Sequence, residues 1–174
     1  MDEELLAEAR ALLELCRAKK LTIATAESCT GGLVAATLTE IPGSSDVVER
    51  GFVTYSNAAK TAMVGVPADV IVRFGAVSRE TAEAMAQGAL AHSPADLAVS
   101  ITGIAGPGGG SPGKPVGLVH FAAMARGGPL MHHKGQFGDI GRAQVRRVSV
   151  KQALAMLSAL AQAQPSRHTP DRLG

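Results

Sequence analysis

Apolar residues recur at helical spacing near the start of the chain, at Leu5, Ala9, Leu12, Leu13 and Cys16, with acids before them and "RAKK" after them. This pattern predicts an amphipathic helix over residues 3–18 whose end charges match its dipole. "LTIAT" (21–25) reads as a short strand, residues 31–40 as a helix, and Pro42-Gly43 as a turn. "VVERGFVTYS" predicts a second strand ending near Tyr55, followed by a helical turn or two around Lys60. Between Pro67 and Val77 no element is assigned. Residues 78–92 read as an alanine-rich helix with Ser78 as its N-cap. "DLAVSITGIAG" reads as a buried strand running into a Gly- and Pro-rich loop over 105–115, and "VGLVHFAAMA" and "LMHHKGQF", joined by "RGGP", signal a hairpin. A last helix over 139–162 carries the apolar stripe Val150, Ala153, Leu154, Leu157 and Leu160. The segment 165–174 is expected to be a flexible tail.

Strands that alternate with helices, with one hairpin late in the chain, predict an α/β protein: a three-layer α/β/α sandwich on a mixed, mostly parallel sheet of about five strands, in one domain over 1–164. A chain of 174 residues can bury roughly two-thirds of its unfolded surface. With four Phe, one Tyr and no Trp, the core must be aliphatic. A formal net charge of +2 with no basic block, and no aromatic residues interleaved with basic ones, argues against a nucleic-acid partner. No apolar run reaches the roughly 20 residues that cross a bilayer, so no membrane partner is expected. The acidic N-terminus is not a secretory leader, and Cys16 and Cys29 form no CxxC pair; both point to a reducing, cytoplasmic setting. The apolar residues of the two hairpin strands point to an edge or interface; a homo-oligomer is expected.

Ligands of open α/β sheets bind at the carboxyl ends of the strands. Three predicted strand ends carry unusual polar loops, at 27–32, 55–60 and 102–110, which converge if their strands are parallel neighbours. In "AESCTGG", Ser28 precedes a helix whose first N–H groups could hold a phosphate or an oxyanion; equally, Ser28 or Thr30 could be a plain N-cap. In "TYSNAAK", Lys60 is a candidate base, since desolvation lowers a lysine pKa, and the Tyr55 hydroxyl could relay its proton or fix it. The Gly-rich "TGIAGPGGGSPGKP" can wrap a ligand with backbone donors or be a simple connection. Arg142 and Arg146, one turn apart, suit phosphate recognition or a solvated salt-bridged face. Cys29 is an alternative nucleophile, although no His lies in these loops to activate it. His132 and His133 are adjacent on a strand and point to opposite faces, and His92, His120 and His168 lack ligand spacing; no metal is expected.

"TAESCTGG", "YSNAAKTAMVGV" and "TGIAGPGGG", in this order and at these separations, resemble the CinA C-terminal domain family, whose single-domain members include nicotinamide-nucleotide amidases (PncC-like). The resemblance runs from the first helix to about residue 162. It implies an α/β/α fold on a mixed five-stranded sheet and a hydrolase acting on a pyridine mononucleotide: the carboxamide of nicotinamide mononucleotide gives nicotinate mononucleotide and ammonia, recycling a pyridine nucleotide. It also implies a metal-independent mechanism without a cofactor, with Ser28 as nucleophile, Lys60 as base and Tyr55 beside them. The substrate-binding residues expected with these are Thr30, Gly31, Gly32, Asn57, Thr102, Gly103, Ala105, Gly106, Arg142 and Arg146. The pyrophosphatase domain that full-length CinA proteins carry has no counterpart here, and the family's competence/damage-inducible name has no physical support in these residues. The rival reading is a non-catalytic nucleotide-binding or partner-docking domain, in which Ser28 is only a cap.

Overall fold

The computed structural model describes residues 2–166. Helix α1, Glu3–Lys19, starts where the Asp2 carboxylate accepts the Glu4 and Leu5 N–H groups and stops where Lys20 turns left-handed. Its predicted apolar stripe is its buried face. Five strands follow the predicted order: β1 (Ile23–Glu27), β2 (Val48–Val53), β3 (Leu97–Gly103), β4 (Leu118–Ala125) and β5 (Leu130–Gln136). They lie in the order β2-β1-β3-β4-β5. β1 is parallel to both β2 and β3, while β4 is antiparallel to β3 and to β5, so β4 alone runs against the rest. This is the mixed, mostly parallel sheet that the element pattern predicts.

Helices α2 (Leu33–Thr39) and α6 (Arg142–Ala163) join α1 on one face. There Ile23, Val99, Ile101 and Phe121 meet Leu12, Leu13, Leu154 and Leu157 in one aliphatic cluster. Each fully buried side chain of this kind contributes about 1.5–3 kcal/mol relative to exposure. On the other face α5 (Arg79–Ala91) lies across β1, β3 and β4, with α3 (Asn57–Val64) and α4 (Ala68–Phe74) packed on it. Small residues on both sides, Ala24, Ala26 and Ala98 against Met85 and Ala89, let α5 approach the sheet closely. Gly88 brings α5 onto α3: a Cβ there would stand 1.8 Å from the Val64 carbonyl oxygen.

Four expectations need correction. The first strand is two residues later than "LTIAT", because the β1–β3 ladder continues to Glu27. The second ends at Val53, before Tyr55. Helix α4 lies between Pro67 and Val77, where the sequence pattern marks no element. Its Val70-Ile71-Val72 run is a poor helix former, and it is bracketed by Pro67 and Gly75, with only Ile71 buried. The "GLVHFAAMA" strand is not an exposed edge, since β4 lies between two neighbours and is buried almost throughout. Among the described residues, the large apolar ones that do face outward are Val53, Tyr55, Met63, Val72, Phe74 and Ile140. No described helix is long and apolar enough to cross a membrane. Most of the segment expected to be a tail, with His168, lies outside the described residues.

Candidate active site

The three polar loops leave adjacent parallel strands at the same level. Glu27 stands opposite Val53 on one side and Ile101 on the other, so Ser28, Thr54 and Thr102 emerge side by side. The Ser28 N–H donates to the Ile101 carbonyl, extending the ladder by one residue. The chain then turns sharply, with the Gly31 N–H donating to the Ser28 carbonyl. Gly31 and Gly32 follow with φ of +57° and +106°, a left-handed pair that strains any residue with a Cβ.

Lys60 enters from α3. Ser56 caps that helix by accepting the Ala59 N–H, and Lys60 sits one turn in, with its side chain only 1% exposed. Its Nζ lies 3.0 Å from Ser28 Oγ, 2.9 Å from the Thr54 carbonyl oxygen and 3.2 Å from that of Tyr55. Burial lowers its pKa from the ordinary 10.5, and the weaker influence of Cys29 acts the other way. The amine donates to both carbonyls, and its nitrogen lies within hydrogen-bond reach of the Ser28 hydroxyl. A nucleophile and base within hydrogen-bond reach can open covalent acyl transfer.

Burial pushes the Cys29 thiol up to about 12, while the Lys60 amine hydrogen-bonds Ser28 Oγ. Cys29 remains a wall of the cavity.

The cavity over Ser28 has a volume of about 210 Å³. Of the expected site residues it gathers Ser28, Tyr55, Asn57, Lys60, Thr102, Gly103, Ala105 and Arg142. Thr30, Gly31, Gly32, Gly106 and Arg146 do not line it. The Thr30 hydroxyl instead donates to Glu27 Oε1, and Arg146 donates to the Cys29 and Thr30 carbonyls, bracing the Ser28 loop from outside. The Gly106 carbonyl accepts from Arg142 Nη1, while Arg142 Nη2 donates to the Tyr55 hydroxyl. Tyr55 thus serves Lys60 through its backbone carbonyl, and its phenol, 60% exposed, stands at the rim with Arg142. Ala76 and Val77 also line the cavity. They are held there by the Thr102 hydroxyl, which donates to the Ala76 carbonyl, and nothing in their apolar sequence marks them.

Neither Ser28 nor Thr30 caps α2. The Glu27 carboxylate reaches under the turn and accepts the Val34 N–H at 2.8 Å and the Ala35 N–H at 3.1 Å. The start of α2 is therefore occupied by the protein's own carboxylate, which rules it out as the anion site the sequence pattern invited. An acid at the end of an apolar strand is the signal that marks Glu27 for such a role.

Away from this cavity, His120 Nδ1 and His132 Nε2 lie 2.9 Å apart across β4 and β5. His133 points to the other face against Phe121, as the strand alternation predicts. Among the described residues no three His, Cys, Asp or Glu side chains come together as metal ligands.

The family model of the CinA C-terminal domain matches residues 6–161. The nicotinamide-nucleotide amidohydrolase PncC of Escherichia coli strain K12 is 49% identical over 157 residues, which are 90% of this chain and 94% of that protein. A putative competence-damage inducible protein of Caldicellulosiruptor bescii is 46% identical over 90% of this chain, but the chain spans only 37% of that longer relative. The crystal structure of the competence/damage inducible protein CihA of Agrobacterium tumefaciens superposes with a TM-score of 0.89 at 55% identity, covering 90% of this chain and 95% of that one. With strand order, site loops and family model in agreement along nearly its whole described length, the chain belongs to the CinA C-terminal domain family.

Proposed function

We propose that this protein hydrolyses the carboxamide of nicotinamide mononucleotide to nicotinate mononucleotide and ammonia. The observation that carries the reading is the 3.0 Å approach of a buried, desolvated lysine amine to Ser28 Oγ. The 49% identity to the E. coli amidohydrolase, over nearly all of both chains, supports the substrate. Ser28 Oγ attacks the amide carbon while Lys60 Nζ takes the hydroxyl proton. The developing oxyanion is met by those amides of the 28–32 turn that are not spent on the turn's own bonds. The C–N bond then breaks, Lys60 returns its proton to the departing nitrogen, and ammonia leaves an acyl-Ser28 that water hydrolyses. In this reading Lys60 carries both proton transfers, and Tyr55 supports it through its carbonyl.

In this reading the carboxamide enters the cavity over Ser28, and the phosphate faces Arg142 and the Gly-rich loop. The two buried free thiols fit a reducing, cytoplasmic setting. The test is ammonia release from nicotinamide mononucleotide by purified protein after chelator treatment. Ser28→Ala is expected to lose about three orders of magnitude or more in turnover, with an unchanged thermal midpoint. Undiminished turnover by Ser28→Ala refutes the mechanism. Tight mononucleotide binding without turnover by the parent protein supports a binding domain instead.

A further inference from the structure

The mechanism leaves one buried charged side chain of the site unused. Glu27 is 1% exposed and immediately precedes the nucleophile. Its Oε1 accepts from the Thr30 hydroxyl at 2.7 Å and from the Val34 N–H, and its Oε2 accepts from the Ala35 N–H. Its backbone carbonyl accepts the Thr54 N–H at 2.8 Å, and the Thr54 carbonyl in turn holds Lys60 Nζ. One residue is therefore bonded to both loops of the Ser28–Lys60 pair, by its side chain on the serine side and by its backbone on the lysine side. Because Thr30 is tied down from below by Glu27, and its carbonyl from outside by Arg146, the four-residue turn from Ser28 to Gly31 cannot shift as a body. Ser28 Oγ is aimed at Lys60 only while that turn keeps its place.

We infer that Glu27 is a positioning residue for the reaction: its carboxylate, through the Thr30 hydroxyl and the first turn of α2, holds Ser28 Oγ in line with Lys60. The inference rests on the reading of Ser28 as the nucleophile. It does not depend on the identity of the amide. Glutamine at this position keeps the shape but replaces one acceptor oxygen with an N–H₂ group that must face a backbone donor, so the turn has to move. A displacement near 1 Å at a reacting group costs on the order of a hundredfold in rate, and it acts on the chemical step, leaving the substrate's outer contacts at Arg142 intact.

The test compares the full-length parent, Glu27→Gln, Thr30→Val and Thr30→Ser by two readouts. One is kcat and KM for nicotinamide mononucleotide. The other is the rate at which a small fluorophosphonate labels Ser28, with Ser28→Ala as the blank. Glu27→Gln is expected to lower kcat and the labelling rate together, by about tenfold to a hundredfold, with KM within about twofold. Thr30→Val should show the same split to a smaller degree, and Thr30→Ser, which keeps the hydroxyl, should recover it. A folded Glu27→Gln that labels and turns over like the parent overturns the proposal. If Glu27→Gln does not fold, parental labelling of Thr30→Val overturns it. A parent that labels but releases no ammonia refutes the substrate reading alone, and the labelling rates still decide the role of Glu27. A parent that does not label has no reactive serine to position, and the proposal falls.

Discussion

Replacing Lys60 with Met separates what this side chain does for the reaction from what it does for the fold. Lys60 is almost completely buried, its Nζ is bonded to Ser28 Oγ and to the Thr54 and Tyr55 carbonyls, and burial lowers its pKa below 10.5. Methionine fills the space of the stem and removes the amine. The buried Thr54 carbonyl then loses a partner, a cost of about 1–3 kcal/mol. The Tyr55 carbonyl borders the cavity, where water can replace the amine. Against this stands the removal of a buried basic group whose charged form the site disfavours. The two effects oppose each other, so the net loss at neutral pH should be at most about 2 kcal/mol.

The pH dependence is the sharper measure. In the unfolded chain Lys60 titrates near 10.5, and in the fold it titrates lower, so between these values the unfolded state binds more protons. Stability therefore rises with pH through that window, by up to about 1.4 kcal/mol per pH unit for one proton, and levels off above 10.5. Conversely, this contribution is lost as pH falls through the folded-state pKa. Lys60→Met has no such term. The assay is urea unfolding of both proteins at successive pH values from neutrality upward, read as the difference in unfolding free energy. The parent should gain on the variant as pH rises, while the variant's turnover stays about 10²–10⁴-fold down throughout. Parallel stability profiles refute the claim that burial lowers the pKa of this lysine, and with it the argument for Lys60 as base.

Arg142→Gln removes the cation at the cavity rim. It is expected to raise KM for nicotinamide mononucleotide by about tenfold, the worth of one charge-assisted hydrogen bond, while kcat holds; nicotinamide riboside, which lacks the phosphate, should show no such change. For the histidine pair, burial first and then the nearby His132, Lys134 and Lys114 hold His120 down to about 4, against an ordinary 6.5. The unfolded chain takes up that proton first as pH falls, so stability should decline between about 6.5 and about 4, and His120→Gln should flatten this decline in thermal midpoints across the same range.

Much of this protein is legible in its residues because the information is local. Helical periodicity marks α1, α5 and α6, and short apolar runs between helices mark the five strands. Polar, Gly-rich loops at three strand ends mark the face where chemistry gathers. Those signals depend on neighbours a few positions apart, and so they survive without the fold. Residue type and a place after a strand make Ser28 and Lys60 candidates in the same way, and the resemblance to the CinA C-terminal domain family is what singles them out.

What decides their chemistry is not local. Only the β2-β1-β3 order puts the Ser28 and Lys60 loops side by side, where the lysine is buried and its pKa lowered. Sequence spacing made Arg142 and Arg146 equivalent. The sheet and loops give one to the rim and the other to the back of the Ser28 turn. Tyr55 drew attention for its hydroxyl, yet its carbonyl is what the lysine finds, because the chain leaves β2 before reaching it. Periodicity could not foresee that Glu27 rather than Ser28 or Thr30 would cap α2, nor that His120 would meet His132 across two strands. The amino-acid pattern by itself determined which elements form and which face carries the polar loops. The tertiary structure decided which groups lose their water and which partners replace it, because desolvation and cross-strand contact depend on residues far apart in the chain.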